Sequence, residues 1–255
     1  MDVLKVKVGG GAPIKDEAAR VAKIAADALA GGRRLRLDAN QCWSLEEASE
    51  FARLLGSGGA AVDYIEEPLL DPLLLPLFSR QSGMRHALDE SLYKHYIPSS
   101  RRSAPASGMP ARERPASGLI DRPASEGGDG PAAGAHSPAA LVLKPALMGG
   151  WEPCRTSIRE AGPGVQAVLS ACFESGVALA HYVALAASAP PLSLAASVPP
   201  PAVSHGLGTF EKLAEDTLDP PFSSLVRGGA VSVLECDAAL ASYCAELSLA
   251  SLPNA

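Results

Sequence analysis

Short apolar runs alternate with amphipathic stretches along this chain. In LKVKVG, Leu4 and Val6 flank and separate Lys5 and Lys7, a period of two that predicts a strand with both lysines on one face. From Asp16 to Leu29 the apolar positions Val21, Ile24, Ala25 and Ala28 fall at helical spacing. RLRLDAN reads as the next strand, and Ser44, three residues before Glu47, has the capping-box spacing that opens a helix running to about Leu55. YIEEP and HALDES are two further strands joined by a proline-rich connection. LVLKP, a Gly149-Gly150 turn, a helix from about Glu152 to Ala161, the strand VQAVLSAC and a helix from about Ser175 to Ala187 continue the series. Repetition of βα units predicts a parallel sheet.

From about Ser99 to Pro138 the rhythm stops. This stretch is dominated by Pro, Gly, Ser, Ala and Arg, with too few large apolar side chains to offset the entropy of ordering it, and it reads as a disordered surface insertion. Ala189 to Pro201 is a second, shorter proline-rich connection. The chain has 255 residues and 47% hydrophobic content, the length and core material of one (β/α) barrel domain. A net charge of −6 leaves no basic field for nucleic acid. The most apolar stretch, Val165 to about Val198, is interrupted by Glu174, His181 and Pro190-Pro191, so a buried strand and helix are expected rather than a membrane span. Cys42, Cys154, Cys172, Cys236 and Cys244 form no CxxC pair, and buried thiols in a reducing compartment are expected. No targeting peptide is legible before the first strand, and a soluble protein is expected.

Three of the predicted strands stop on an acid: RLRLDAN on Asp38, YIEEP on Glu66 and HALDES on Asp89. Strand ends of one parallel sheet share a rim, so these carboxylates can converge on one divalent cation, and their hard oxygens suit Mg²⁺, with Mn²⁺ as a substitute. Alternation sends Glu66 and Glu67 to opposite faces, which leaves Glu67, with Glu90 and Asn40, in a supporting position. Lysines bracket the trio. Lys7, nearer the C-terminal end of its strand, is the candidate base, Lys5 stands where it would depress the pKa of Lys7, and Lys144 faces the opposite side of the substrate. Metal carboxylates between lysines suit chemistry on an acidic C–H next to a carboxylate, which makes a small carboxylate the expected substrate. Trp43 and Trp151 are expected to pack over loops and His205 to be structural. Gly9-Gly10-Gly11 lacks the GxGxxG spacing of a phosphate cradle, so no nucleotide cofactor is implied.

The ordered set KVK, LDAN, IEEP, LDES, LKP and SACFESG resembles the muconate-lactonising branch of the enolase superfamily, and within it the o-succinylbenzoate synthases of menaquinone and phylloquinone biosynthesis. The resemblance covers most of the chain outside the insertion. It implies a (β/α)₇β barrel, Mg²⁺ on Asp38, Glu66 and Asp89, Lys7 and Lys144 as the acid/base lysines, and Lys5 and Ser170 on the substrate side. The implied reaction is dehydration of 2-succinyl-6-hydroxy-2,4-cyclohexadiene-1-carboxylate to o-succinylbenzoate. Family members carry a capping domain and a first barrel strand before KxK, so the expectation here is a partial barrel without them, fused to or associated with other quinone-pathway enzymes. HGLGT, around His205, resembles the last barrel strand, and the segment from about Arg227 lacks the family's return toward the cap. Dipeptide epimerases, N-acylamino-acid racemases and cycloisomerases share the same metal and lysine set, and a non-catalytic module of a larger polypeptide is the alternative of another class. The expected compartment is the plastid for a photosynthetic eukaryote and otherwise the cytoplasm.

Overall fold

A computed structural model describes residues 3–95, 137–161, 164–188, 203–212 and 215–250. The expected insertion at 99–138 and the connection at 189–201 lie almost wholly outside these residues.

Six strands, β1 (Val3–Lys7), β2 (Arg34–Asp38), β3 (Val62–Glu66), β4 (His86–Leu88), β5 (Ala140–Leu143) and β6 (Gln166–Leu169), form one sheet in chain order, every pairing parallel. The return to each next strand is made by helices: α1 (Ile14–Ala30), α2 (Leu45–Leu55), α3 (Leu75–Ser82), α4 (Glu90–His95), the short α5 (Pro145–Met148), α6 (Trp151–Glu160) and α7 (Gly176–Ser188). Ser44 caps α2 as its spacing predicts: its hydroxyl accepts from Glu47 N at 3.2 Å, and the Glu47 carboxylate accepts from Ser44 N at 2.8 Å.

Strand alternation sorts the side chains onto two faces. Leu35, Leu37, Ile65, Leu88, Leu141, Leu143 and Leu169 face the helices and join the main core with Phe51, Phe78 and Val21. Tyr64, Ala87, Ala140, Val142 and Val168 pack together on the other face. The sheet curls around that second face, because Arg36 Nη1 of β2 donates to Ser204 O at 2.7 Å, beyond β6. Ser170 forms a parallel bridge with Gly206, so HGLGT continues the sheet past its sixth strand as the sequence suggests. The architecture is a partial (β/α) barrel, with helices outside and Arg36, Tyr64, Ala87, Val142 and Val168 on the enclosed face.

Beyond this point the sequence reading placed no element, and the structure has several. Asp216 Oδ1 accepts from Gly176 N and Leu218 N, and its Oδ2 accepts from Phe222 N, tying the start of α7 to that of α8 (Phe222–Leu225). A two-residue hairpin, β7 (Val226–Arg227) with β8 (Ala230–Val231), leads into α9 (Val233–Ala250), which packs against α7 and α8. Trp43 is buried against Phe51, with ring centroids 4.7 Å apart, and Trp151 meets His181 edge-on at 5.9 Å. Cys154 and Cys236 are buried and Cys42 and Cys172 half-buried, but Cys244 is exposed, contrary to the expectation of burial. None of the described helices is long and apolar enough to cross a membrane.

Candidate active site

Each strand hands its last inward residue to the same rim. Two residues below the rim the interior is built from Lys5, Arg36, Tyr64, Ala87, Val142 and Val168; at the rim the same parity delivers Lys7, Asp38, Glu66, Asp89, Lys144 and Ser170. The register aligns Lys7 with Asp38 and Asp38 with Glu66. Asp38, Glu66 and Asp89 are each 1% exposed, a depth at which carboxylates require counter-charge.

The lysines supply it. Lys5 Nζ lies 2.8 Å from both Asp38 Oδ2 and Glu66 Oε1. Lys7 Nζ lies 2.6 Å from Asp38 Oδ2 and 2.5 Å from Asn40 Oδ1. Lys144 Nζ pairs with Asp89 Oδ2 and sits 5.7 Å from the centre of the Tyr93 ring. Burial opposes the charge on Lys5, but Glu66 and Asp38 outweigh it and hold this lysine above its ordinary value. A lysine held charged in this way is a fixed cation between two carboxylates. The sequence reading gave it to the substrate and to the depression of Lys7, whereas here it is engaged with the acids. Burial likewise opposes ionisation of Asp38, yet Lys5 and Lys7 bring its pKa below the usual carboxylate value. Glu66 shifts the other way: burial raises it, Lys5 opposes this, and Asp38 and Asp89 add to the rise. Lys144 stays above its ordinary value because Asp89 outweighs burial.

Glu67 and Asn40 organise the rim without belonging to the trio. Glu67 is 0% exposed and has a left-handed φ of 42°. Its Oε1 accepts from Asp89 N and Ser91 N, both at 2.8 Å, while its Oε2 accepts from Ser91 Oγ at 2.7 Å and Gln41 Nε2 at 3.1 Å. One carboxylate thereby ties together the ends of β2, β3 and β4. Asn40 and Gln41 are also left-handed, at φ 48° and 58°. Such backbone in non-glycine residues persists only where its surroundings impose it.

The remaining candidates are placed as follows. Glu90 accepts from Asn40 Nδ2 at 2.9 Å. Ser170 Oγ lies against Gly206, where an added Cβ would be 3.3 Å away. His205 Nδ1 accepts from Leu169 N at 3.1 Å, a structural bond. Phe173, at φ 66° and 63% exposed, stands just past the end of β6 and was not singled out in the sequence. Only its position after a strand end could have drawn notice.

No three His, Cys, Asp or Glu side chains among the described residues stand in a ready metal-holding arrangement. The donor set nevertheless fits a hard divalent cation. Asp38, Glu66 and Asp89 offer only oxygen, and the buried Asp89 Oδ1 has no hydrogen-bond partner among the described residues. The mutual effect of three close carboxylates on Glu66 is the repulsion that a cation would relieve.

The chain matches the family described as Enolase C-terminal domain-like over residues 1–97. It is 30% identical to the Arabidopsis thaliana protein named Protein PHYLLO, chloroplastic, over 207 residues, which are 76% of this chain and 10% of that protein. It is 29% identical to o-succinylbenzoate synthase of Aliivibrio fischeri (strain MJ11) over 191 residues, covering 74% of this chain and 48% of that enzyme. Among solved structures, muconate cycloisomerase from Pseudomonas fluorescens shares the fold with a TM-score of 0.54 at 20% identity, covering 86% of this chain and 50% of that one. The chain thus spans about half the length of the bacterial relative. The family match over residues 1–97 and these relatives support a place in the enolase superfamily.

Proposed function

We propose that this chain carries the metal- and lysine-bearing part of an o-succinylbenzoate synthase. The reaction is dehydration of 2-succinyl-6-hydroxy-2,4-cyclohexadiene-1-carboxylate. The observation that carries this reading is the placement of Lys7 and Lys144 on β1 and after β5, four strands apart on one rim, with Asp38, Glu66 and Asp89 between them. Relatives named o-succinylbenzoate synthase support the choice of reaction.

A divalent cation held by Asp38, Glu66 and Asp89 would supply positive charge opposite the carboxylate oxygens of the substrate. Lys7 in its amine form takes the proton from the carbon next to that carboxylate, and the electron pair moves into the carboxylate. Lys144, held charged by Asp89, faces the resulting anion from the other side. The C–O bond to the ring hydroxyl then breaks, Lys7 returns its proton to the departing oxygen, and water leaves as the ring becomes aromatic. Lys5 keeps the pair of carboxylates from β2 and β3 neutralised beneath the reacting atoms.

The test is an absorbance assay for aromatisation with Mg²⁺ present. Lys7→Ala is expected to abolish turnover with metal affinity unchanged, and Asp89→Asn to weaken both. Equal turnover by wild type and Lys7→Ala, or by wild type in excess chelator, would overturn the assignment.

A further inference from the structure

Lys7 faces a problem of position. Its side chain is 65% exposed, on the outermost strand of the described sheet, and a lysine stem has four rotatable bonds. Among the described residues two groups hold its Nζ: Asp38 at 2.6 Å and Asn40 at 2.5 Å. Under the proposed function Asp38 turns its charge to a cation, which leaves Asn40 as the contact committed to Lys7.

Asn40 is itself oriented from both ends. A lysine ammonium only donates and a carboxylate only accepts, so the amide is fixed with Oδ1 toward Lys7 and Nδ2 toward Glu90 Oε1, 2.9 Å away. The left-handed backbone at φ 48°, with Asn40 N donating to Asp38 Oδ1 at 3.2 Å, turns the side chain back over the rim. Glu90 starts α4, and its other oxygen, Oε2, is buried with no hydrogen-bond partner among the described residues, so all of its described side-chain hydrogen bonding goes to Asn40. The chain of contacts runs from α4 through the β2 loop to β1. Glu90 is not among the described partners of Lys7 Nζ.

We propose that Asn40 is a positioning residue for Lys7, and that Glu90 acts on Lys7 only through Asn40. This rests on Lys7 being the base of the proposed reaction, and it deepens that reading by naming what aims the base. Aspartate at position 40 would set two carboxylates against each other, and alanine would release the ammonium to solvent. Asparagine supplies the acceptor and the donor that the two partners require.

The test has a readout that does not depend on turnover. The full chain, with Mg²⁺ saturating, is exposed to a limiting amine-acylating reagent, and the modification rate of each lysine is read by peptide mass spectrometry. Exposed Lys15 and Lys23 serve as internal standards. Loss of a hydrogen bond to a charged group corresponds to roughly a tenfold effect, so Asn40→Ala is expected to speed acylation of Lys7 roughly tenfold with the standards unchanged. Glu90→Ala should do nearly the same, the double variant should add nothing further, and Glu90→Gln, which keeps an oxygen for Nδ2, should restore the wild-type rate. In the dehydration assay the same variants should lower kcat roughly tenfold with KM little changed, as expected for a misaimed base. Unchanged Lys7 acylation in Asn40→Ala would overturn the proposal, and so would additive effects or a Glu90→Gln that behaves like Glu90→Ala. If Asn40→Ala does not fold, the Glu90 pair carries the same prediction from the far end of the contact. A wild type that labels as expected but dehydrates nothing would refute the proposed reaction and leave the positioning role standing.

Discussion

Glu67 shows why residue type alone under-describes this rim. Alternation along YIEEP separates it from Glu66, but nothing in the sequence says that it is fully buried or that it serves four donors from two other segments. Glu67→Gln turns one acceptor oxygen into a donor facing other donors. Urea unfolding is expected to show a loss of about 2 kcal/mol, the scale of a buried group left unpaired; a loss within error of zero would contradict the role. His86 carries a second residue-scale prediction. It is 1% exposed, shares a 2.8 Å hydrogen bond with Ser79 Oγ on α3, and is pushed down to about 4 from an ordinary 6.5 by burial and then by the Arg85 charge. The unfolded chain therefore takes up a proton below pH 6.5 that the folded chain refuses until about pH 4, so stability falls with acidity across that window, by up to about 3 kcal/mol. Urea melts at pH 7.5 and 5.0 should show a larger loss for wild type than for His86→Gln, and equal losses would refute this.

At the scale of elements, local signals carried the first half of the chain and failed in the last quarter. The KVK alternation and the capping box at Ser44 each have a single physical reading, and α2 and the strands are found where the local signals put them. The helix α9 was missed because ECDAALASYCAEL is rich in alanine with little contrast between faces, so its position is set by packing on α7 and α8 rather than by its own pattern. The left-handed residues Asn40, Gln41, Glu67 and Phe173 were equally illegible, since only tertiary contacts impose that backbone on such side chains. The junction between α7 and α8 gives an element-scale prediction. A Cβ at Gly176 would stand 2.1 Å from Asp216 Oδ2, so Gly176→Ala must displace the carboxylate that accepts from Gly176 N and Phe222 N. Losing a cap of this kind costs about 1 to 2 kcal/mol, and the thermal midpoint should fall accordingly; an unchanged midpoint would show that the junction adjusts freely.

Across the whole molecule, six parallel strands turn a linear pattern into one charged rim. The acids and lysines recur at intervals of tens of residues in sequence, but each is the last inward residue of its strand or the next inward position beyond it, and the curled sheet gathers them. What the sequence could not convey was how the charges are shared: Lys5 and Lys7 occupy the acids of β2 and β3, and Lys144 that of the β4 loop, while one oxygen of Asp89 has no hydrogen-bond partner among the described residues. The proposed function requires that this carboxylate set hold a divalent cation. Titration of the chain with Mn²⁺, followed by the loss of the free-ion electron paramagnetic resonance signal, tests it directly. Wild type is expected to bind saturably, and binding should be lost when Asp38, Glu66 and Asp89 are changed to Asn, Gln and Asn, with the fold retained by circular dichroism. Binding of equal strength by that triple variant would contradict it.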